Sequence, residues 1–245
     1  AVPASQALIR SLNIPAVHEL KAYRYERFYE LLNRLGFTTL SEPPDHYGLS
    51  LILGGAEVTL WDVTSAYASM ARILNQYFER PGNNRYAKSD IRPLSFEYAA
   101  PHFDDDLTDA TAIGAASIYS TFEVLKELYR PGEQTGWRLF NNQAQIAWKT
   151  GTSHGFRDAW AIGVNPKYVI GVWVGNADGE GRPGLTGSEA AAPLLFDVLG
   201  LLPQADWFQP PMNDMVRIAT CKASGYRFSS ACTEPDTVLI PKPGL

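Results

Sequence analysis

Apolar positions recur at helical spacing through the first half of the chain and at strand spacing through the second. Tyr25, Phe28, Leu31, Leu32 and Leu35 repeat every three to four residues, which predicts a helix over Tyr25–Leu35 with Gly36 as its left-handed cap. Ahead of it, Ser5–Arg10 reads as a short helix. Pro15 suits the first turn of a second one, so Ser11-Leu12-Asn13 is a polar break between two helices. After the proline-rich loop Ser41–Tyr47 and the Gly54-Gly55 break comes the most regular pattern of the chain. Leu60, Val63, Tyr67, Met70, Ala71, Leu74, Tyr77 and Phe78 form one stripe, preceded by Thr59 as N-cap with Asp62 three residues on. This should be a core helix. Residues 81–106 hold no period, and the acid run Asp104-Asp105-Asp106 is expected to be solvated and to lead into a helix over Asp109–Tyr129, stopped by Pro131-Gly132.

The period changes at Gln143. Gln143–Trp148, Phe156–Val164 and Lys167–Gly175 are short, aromatic and β-branched, separated by Gly-rich and Asn165-Pro166 turns, and predict an antiparallel meander. A Gly-rich loop over 175–187 precedes a helix with Ser188 as N-cap and Glu189 in its first turn, running to about Leu199. Pro203–Pro211 reads as a linker and Met215–Leu245 as a small β-rich tail. Helices first, strands next and a helix last make an α+β fold, an antiparallel sheet with helices packed on it.

Composition narrows the function more than the fold. In 245 residues, 21 basic and 26 acidic side chains leave a net charge of -5, with no Lys/Arg cluster to neutralise phosphates, so no nucleic-acid partner is expected. No apolar run approaches the roughly 18 residues that span a bilayer. The opening Ala1-Val2-Pro3-Ala4-Ser5 has neither a basic n-region nor a long apolar stretch, and with no Met it reads as a piece of something larger. Cys221 and Cys232 leave three options open: a disulfide closing a C-terminal hairpin, two free thiols, or half a zinc site. The third is disfavoured because His18, His46, His102 and His154 lie far upstream, and no metal or other cofactor is expected. The disulfide is the favoured pairing.

Three motifs carry possible chemistry. Gly179-Glu180-Gly181-Arg182-Pro183-Gly184 matches the dinucleotide fingerprint, but Pro183 and a helix that opens only near residue 188 break its geometry, which leaves a flexible loop. Gly151-Thr152-Ser153-His154-Gly155 matches a nucleophile elbow, but a strand follows instead of a helix and no histidine comes later, so His154 reads as a loop residue. Lys149-Thr150-Gly151-Thr152-Ser153 is the informative one. It places an ammonium, hydroxyls and a bare backbone along one strand edge, a way to grip the carboxylate of an extended peptide. Upstream, Ser11-Leu12-Asn13 is the S-x-N that accompanies K-T-G in serine acyltransferases whose nucleophile and base are Ser-x-x-Lys.

With S-x-N before K-T-G, the chain resembles the transpeptidase domain of penicillin-binding proteins. The resemblance extends through Ser11–Val17, Gly54–Asp62 leading into Ala66-Tyr67-Ala68, Asp158-Ala159-Trp160 and Val172–Asn176, all like the bifunctional class A group. Asn176–Gly187 and the C-terminal cysteine pair are most like its 1C type. It covers residues 5 to about 232. One departure stands out: no serine of the chain has lysine three residues later, so the nucleophile and its base are not in it.

The resemblance implies a penicillin-binding-protein/serine β-lactamase-like fold. Residues 1–202 would be a transpeptidase domain without its upstream Ser-x-x-Lys segment, and 203–245 a linker and tail. It further implies peptidoglycan cross-linking by serine acyl transfer, with stem peptides as substrates and β-lactams as acylating inhibitors. The alternative is a non-catalytic fragment that binds peptidoglycan peptide. In the full protein it implies an upstream glycosyltransferase domain and an N-terminal anchor in the inner membrane of a Gram-negative bacterium, with this part in the periplasm. Ser11 would relay a proton, Asn13 bind the substrate backbone and Lys149 bias the field. Thr150, Gly151, Thr152 and Ser153 would hold the substrate, and the Thr152 N–H would be half of an oxyanion hole.

Overall fold

A helix forms where a periodic stripe meets a group able to satisfy its free end, and the chain shows both outcomes. The computed structural model describes residues 2–80, 85–97, 107–108, 110–128 and 145–242. Its helices are α1 (Ala4–Ile9), α2 (Asn13–Tyr23), α3 (Tyr25–Arg34), the single turn α4 (Pro44–Tyr47), α5 (Leu60–Gln76), α6 (Ala115–Leu125) and α7 (Ala192–Gly200). The strands are β1 (Tyr86–Ala87), β2 (Leu107–Thr108), β3 (Ala147–Thr152), β4 (Asp158–Val164), β5 (Val169–Gly175), β6 (Met215–Cys221) and β7 (Pro235–Pro241). All pair antiparallel, in the orders β1-β2, β3-β4-β5 and β6-β7.

α5 is the expected core helix. Thr59 Oγ1 accepts from the Asp62 amide at 2.9 Å, and burial follows the stripe, with Ala66, Ile73 and Leu74 enclosed. The Asp62 carboxylate does not reach back to the cap, however. It accepts from the Thr38 amide at 2.9 Å and the Thr38 hydroxyl at 2.7 Å, tying the loop after α3 to the start of α5.

Several boundaries differ from expectation. Helix α6 starts at Ala115 because Gly114 is extended; the Ala115 amide is taken by Tyr86 Oη at 3.0 Å. Asp104–Asp106, Asp109 and the Pro131-Gly132 stop lie outside the described residues. The last helix is capped by Thr186, whose hydroxyl accepts from the Glu189 amide at 3.2 Å, and it opens with a π-helical turn over Gly187–Ala191, so Ser188 is inside it. Strand β4 starts at Asp158, because Gly155 and Phe156 are left-handed at φ 76° and 56°. Strand β5 starts at Val169, because Asn165 Oδ1 accepts from the amides of Lys167 and Tyr168 and holds both in the turn.

The three-stranded sheet lies between helices. α5 crosses β5 at Gly171, where a Cβ would overlap Thr64 Oγ1, and α7 crosses the other face at Gly163, where a Cβ would stand 2.6 Å from Ile146 Cδ1 and 3.1 Å from Leu195 Cδ1. The main apolar cluster joins Ile73 and Leu74 of α5 and Tyr77 at its C-cap, Ile118 and Phe122 of α6, Ala161 and Val164 of β4 and Leu195 of α7. A second, smaller one contains Leu20 of α2 with Leu40, Tyr47 and Leu51. Leu8 and Ile9 of α1 lean on the first cluster, so the α1–α2 turn straddles both.

The segment 203–211, expected as a linker, is anchored on α6. Phe208 is buried against Phe122, Trp207 Nε1 donates to Glu123, and Lys126 Nζ sits 4.4 Å from the Trp207 ring centroid. Beyond it, Cys221 and Cys232 form a disulfide with Cα atoms 5.7 Å apart, so the pair is neither free thiols nor half a zinc site.

Candidate functional site

Helix α1 ends in a Schellman arrangement: the Leu12 amide donates to Ala7 O at 2.9 Å and the Ser11 amide to Leu8 O at 3.1 Å. That motif needs a left-handed residue after the last helical one, a place glycine usually fills. Here it is Ser11, at φ 53°. A serine in this region costs about 1 kcal/mol relative to glycine, and such strain concentrates at functional positions. What the side chain gains is visible across the molecule, where Ser11 Oγ accepts a hydrogen bond from Lys149 Nζ at 2.9 Å over a sequence separation of 138.

Lys149 stands third in β3, on the strand edge that no described strand pairs. Its Nζ also donates to Thr150 O at 2.7 Å, and it forms no ion pair among the described residues. Burial holds its ammonium below the usual lysine range. A cation half withdrawn from water without a counter-ion is the electrostatic signature of a site that receives an anion.

Strand alternation distributes the rest. Lys149 pairs with Ile162 and Gly151 with Trp160, so they share one face of the sheet; Thr150 and Thr152 share the other. The hydroxyls and the ammonium therefore flank the β3 edge from opposite sides. Thr152 Oγ1 accepts from the Gly187 amide at 3.0 Å, which leaves its own proton to be given to a ligand. Ser153 closes the β3–β4 turn, its Oγ accepting from the Asp158 amide at 2.8 Å and its amide donating to Asp158 O at 3.0 Å. Asn13 opens α2 two residues after Ser11, exposed, and its side-chain amide makes no hydrogen bond among the described residues.

The structure thus brings Ser11 and Lys149 into contact and sets Thr150, Gly151 and Thr152 along the same edge. It puts Asn13 at the rim and uses Ser153 inside the turn. His154 lies exposed in that turn.

Gly187 was not singled out by sequence reasoning. A Cβ there would stand 2.5 Å from Gly151 O, 2.6 Å from Trp160 O and 2.9 Å from Thr150 Cβ, so only glycine lets the π-helical turn bear on β3 and hold Thr152. The signal that could have found it is the capping box Thr186-Gly187-Ser188-Glu189, which places the helix start one residue before this contact. The Gly179–Gly184 loop is tied down by the Arg182 amide, which donates to Phe156 O at 3.0 Å. Among the described residues no group of three or more His, Cys, Asp or Glu could hold a metal ion, and no helix is long and apolar enough to cross a membrane.

No family model matches the chain. It is 36% identical over 198 residues to penicillin-binding protein 1C of Escherichia coli K12, covering 81% of this chain and 23% of that protein. It is 27% identical over 201 residues to penicillin-binding protein 1A of Neisseria cinerea, covering 79% of this chain and 23% of the relative. The chain therefore spans about a quarter of the length of these curated relatives. Among solved structures, penicillin-binding protein 1A from Haemophilus influenzae matches with a TM-score of 0.65 at 18% identity, over 98% of this chain and 40% of that one. The expected arrangement, helices on an antiparallel sheet, is the fold they share.

Proposed function

Because the chain belongs to the class A penicillin-binding proteins, as part of their transpeptidase domain, we propose that it forms one wall of a D,D-transpeptidase site that cross-links peptidoglycan stem peptides and is acylated by β-lactams. The observation that carries this reading is the 2.9 Å contact between Ser11 and Lys149, which joins S-x-N and K-T-G at one strand edge.

In the reaction, a serine hydroxyl attacks the carbonyl carbon of the penultimate D-alanine and gives its proton to a lysine base. The C–N bond breaks and D-alanine leaves with that proton. An amine of a neighbouring stem peptide then attacks the acyl ester, the C–O bond breaks, and the serine recovers a proton. The serine–lysine pair is not among these 245 residues and has to come to the site from outside them.

The residues present do the remaining work. The Lys149 ammonium and the Thr150 and Thr152 hydroxyls hold the terminal carboxylate at the β3 edge, reached from both faces. The extended substrate lies along the bare backbone at Gly151, and Ser153 keeps the end of the strand in place. Ser11, accepting from Lys149, has its own proton to pass on, and Asn13 binds the peptide backbone. The Thr152 N–H stabilises the tetrahedral oxyanion, a donor of a kind worth roughly 3–4 kcal/mol of barrier. In the whole protein this wall lies in the periplasm, beside a glycosyltransferase domain and a membrane anchor.

Intact mass after exposure to penicillin tests the reading on a protein that carries a Ser-x-x-Lys segment together with this chain. A covalent adduct is expected; its absence overturns the assignment. A second reading, a peptide-binding module without catalysis, is favoured by the missing Ser-x-x-Lys. If the 245 residues alone take up labelled penicillin, that second reading fails.

A further inference from the structure

Phe156, in the turn between β3 and β4, combines two features that a side chain of its kind disfavours. Its backbone is left-handed at φ 56°, and the residue is 43% exposed. For a bulky residue that region is a true outlier, and such outliers persist at functional sites where the surrounding structure holds them. The ring pairs with no other aromatic ring among the described residues, so stacking within the chain does not account for it.

The Gly-rich loop after β5 does the holding. The Phe156 amide donates to Ser153 O at 3.2 Å, and Phe156 O accepts from the Arg182 amide at 3.0 Å. Gly181 lies so close to Gly155 that a Cβ on it would overlap the Gly155 carbonyl oxygen, with Arg157 Cγ 3.6 Å away. The loop is braced internally. Asn176 Nδ2 donates to Glu180 O at 2.8 Å, the Gly179 amide to Asn176 O at 3.0 Å and the Leu185 amide to Arg182 O at 3.0 Å. Two residues further on, the Gly187 amide reaches Thr152 Oγ1 at 3.0 Å. The stretch Gly179–Gly184, whose spacing matches a nucleotide motif, thus works as a bracket that fixes the turn relative to the end of β3.

The direction of the substrate decides what lies opposite this turn. With the terminal carboxylate at Lys149 and the scissile carbonyl at the Thr152 N–H, a peptide on the β3 edge runs antiparallel to β3, its C-terminus toward Lys149. At about 3.3 Å per residue, the residue before the two D-alanines falls level with the turn of residues 153–157. We propose that Phe156 is a specificity-determining residue that packs the aliphatic side chain of this third residue, a placement that rests on the transpeptidase reading. The chemistry favours a long unbranched stem with a polar end, of the kind a diamino acid carries. Its methylenes lie on the ring while its amine stays in water beside an exposed turn. Glycine at that place in the peptide would leave the ring wet. The bracket contributes because an aromatic side chain on a fixed turn has little freedom left to lose on contact.

The test uses the complete protein carrying a Ser-x-x-Lys segment, labelled with a fluorescent penicillin in competition with acetyl-L-lysyl-D-alanyl-D-alanine or acetylglycyl-D-alanyl-D-alanine. The lysyl peptide should compete about ten-fold better, a difference of ~1.4 kcal/mol. Phe156→Gly, which suits the left-handed backbone, should cut that preference to about two-fold, and Phe156→Leu, which restores apolar surface, should bring most of it back. A melting point of the glycine variant no lower than the parent's shows that it folds. Competition by neither peptide, equal competition by both, or a preference that Phe156→Gly leaves intact overturns the proposal. Failure of penicillin to label the parent protein overturns the transpeptidase reading, and the assignment of Phe156 falls with it; labelling without a preference between the peptides overturns the assignment of Phe156 alone.

Discussion

The β3 edge and the C-terminal hairpin are both small, exposed and rich in hydroxyls, yet they are held in opposite ways. The hairpin is fixed by its near neighbours: a disulfide across 11 residues, a seven-residue ladder and a folded-back loop. The β3 edge depends on distant parts of the chain. Ser11 reaches Lys149 from 138 residues away, and Gly187 reaches Thr152 from 35 residues away. A locally closed element keeps its shape whatever happens to the body. A site assembled from distant segments exists only while the body is packed, and can therefore have its chemistry removed without loss of fold, or its fold disturbed without loss of any reacting group.

Five tests sharpen that contrast, the largest effect first. Lys149→Ala should abolish penicillin acylation of the complete protein, at least 100-fold, while the melting temperature of the 245-residue chain stays nearly unchanged, because the ammonium is partly desolvated and unpaired. A large melting shift would mean that Lys149 belongs to the scaffold. Gly187→Ala removes no reacting group but pushes a methyl into Gly151 O and Trp160 O. It should cost about 1–3 kcal/mol, lowering the melting point by roughly 2–4 °C per kcal/mol, as calorimetry would show.

Ser11→Gly and Ser11→Ala form an informative pair. Both should slow acylation to the same degree, about 10–100-fold, but glycine relieves the left-handed strain and alanine keeps it. The glycine variant should thus melt higher than the alanine variant, by an amount near 1 kcal/mol. Equal melting points would show that the Schellman turn is unstrained.

Cys221→Ser tests the other member of the comparison. Limited trypsin digestion should cut faster after Lys222 and Arg227, while acylation and the melting of the body remain as they were. Lost acylation would mean that the hairpin is coupled to the site.

The smallest effect concerns pH. The pKa of Lys149 is lowered in the folded chain, so between that value and the ordinary ~10.4 the unfolded chain binds more protons, and stability from this group rises with pH. The burial penalty is fully present below the folded value and fades above it. Lys149→Met lacks the group, so its stability relative to the parent chain should decline as pH is raised from 8 to 10. A difference that stays flat would deny the desolvation.

Much of this was legible in the chain because the signals were local. The α5 stripe and its Thr59 cap lie within a few residues of each other, and the three strands alternate as their sequence does. Where two local signals competed, the weaker reading won: Ser188 sat nearer the apolar run, but Thr186 formed the cap and Glu189 was its third residue. The distant facts left no trace. Nothing near Ser11 announces that its backbone is left-handed, and nothing near Gly187 reveals that β3 will press against it, since both depend on elements far apart in sequence. Resemblance to a family supplied the pairing of S-x-N with K-T-G; only the folded chain shows that pairing as a hydrogen bond.

The turn that carries Ser11 and Asn13 straddles two apolar clusters of unequal size, with α1 leaning on the large one and α2 belonging to the small one. Sub-global opening follows buried contact, so the four-residue cluster around Leu20 should exchange its amides with solvent at a lower free-energy cost than the sheet does. Such an excursion takes α2 with it and leaves α1 in place. Asn13 would then swing away from the β3 edge while Ser11 stays bonded to Lys149, so the residue proposed to grip the substrate backbone can move on its own clock without breaking the Ser11–Lys149 hydrogen bond beside it.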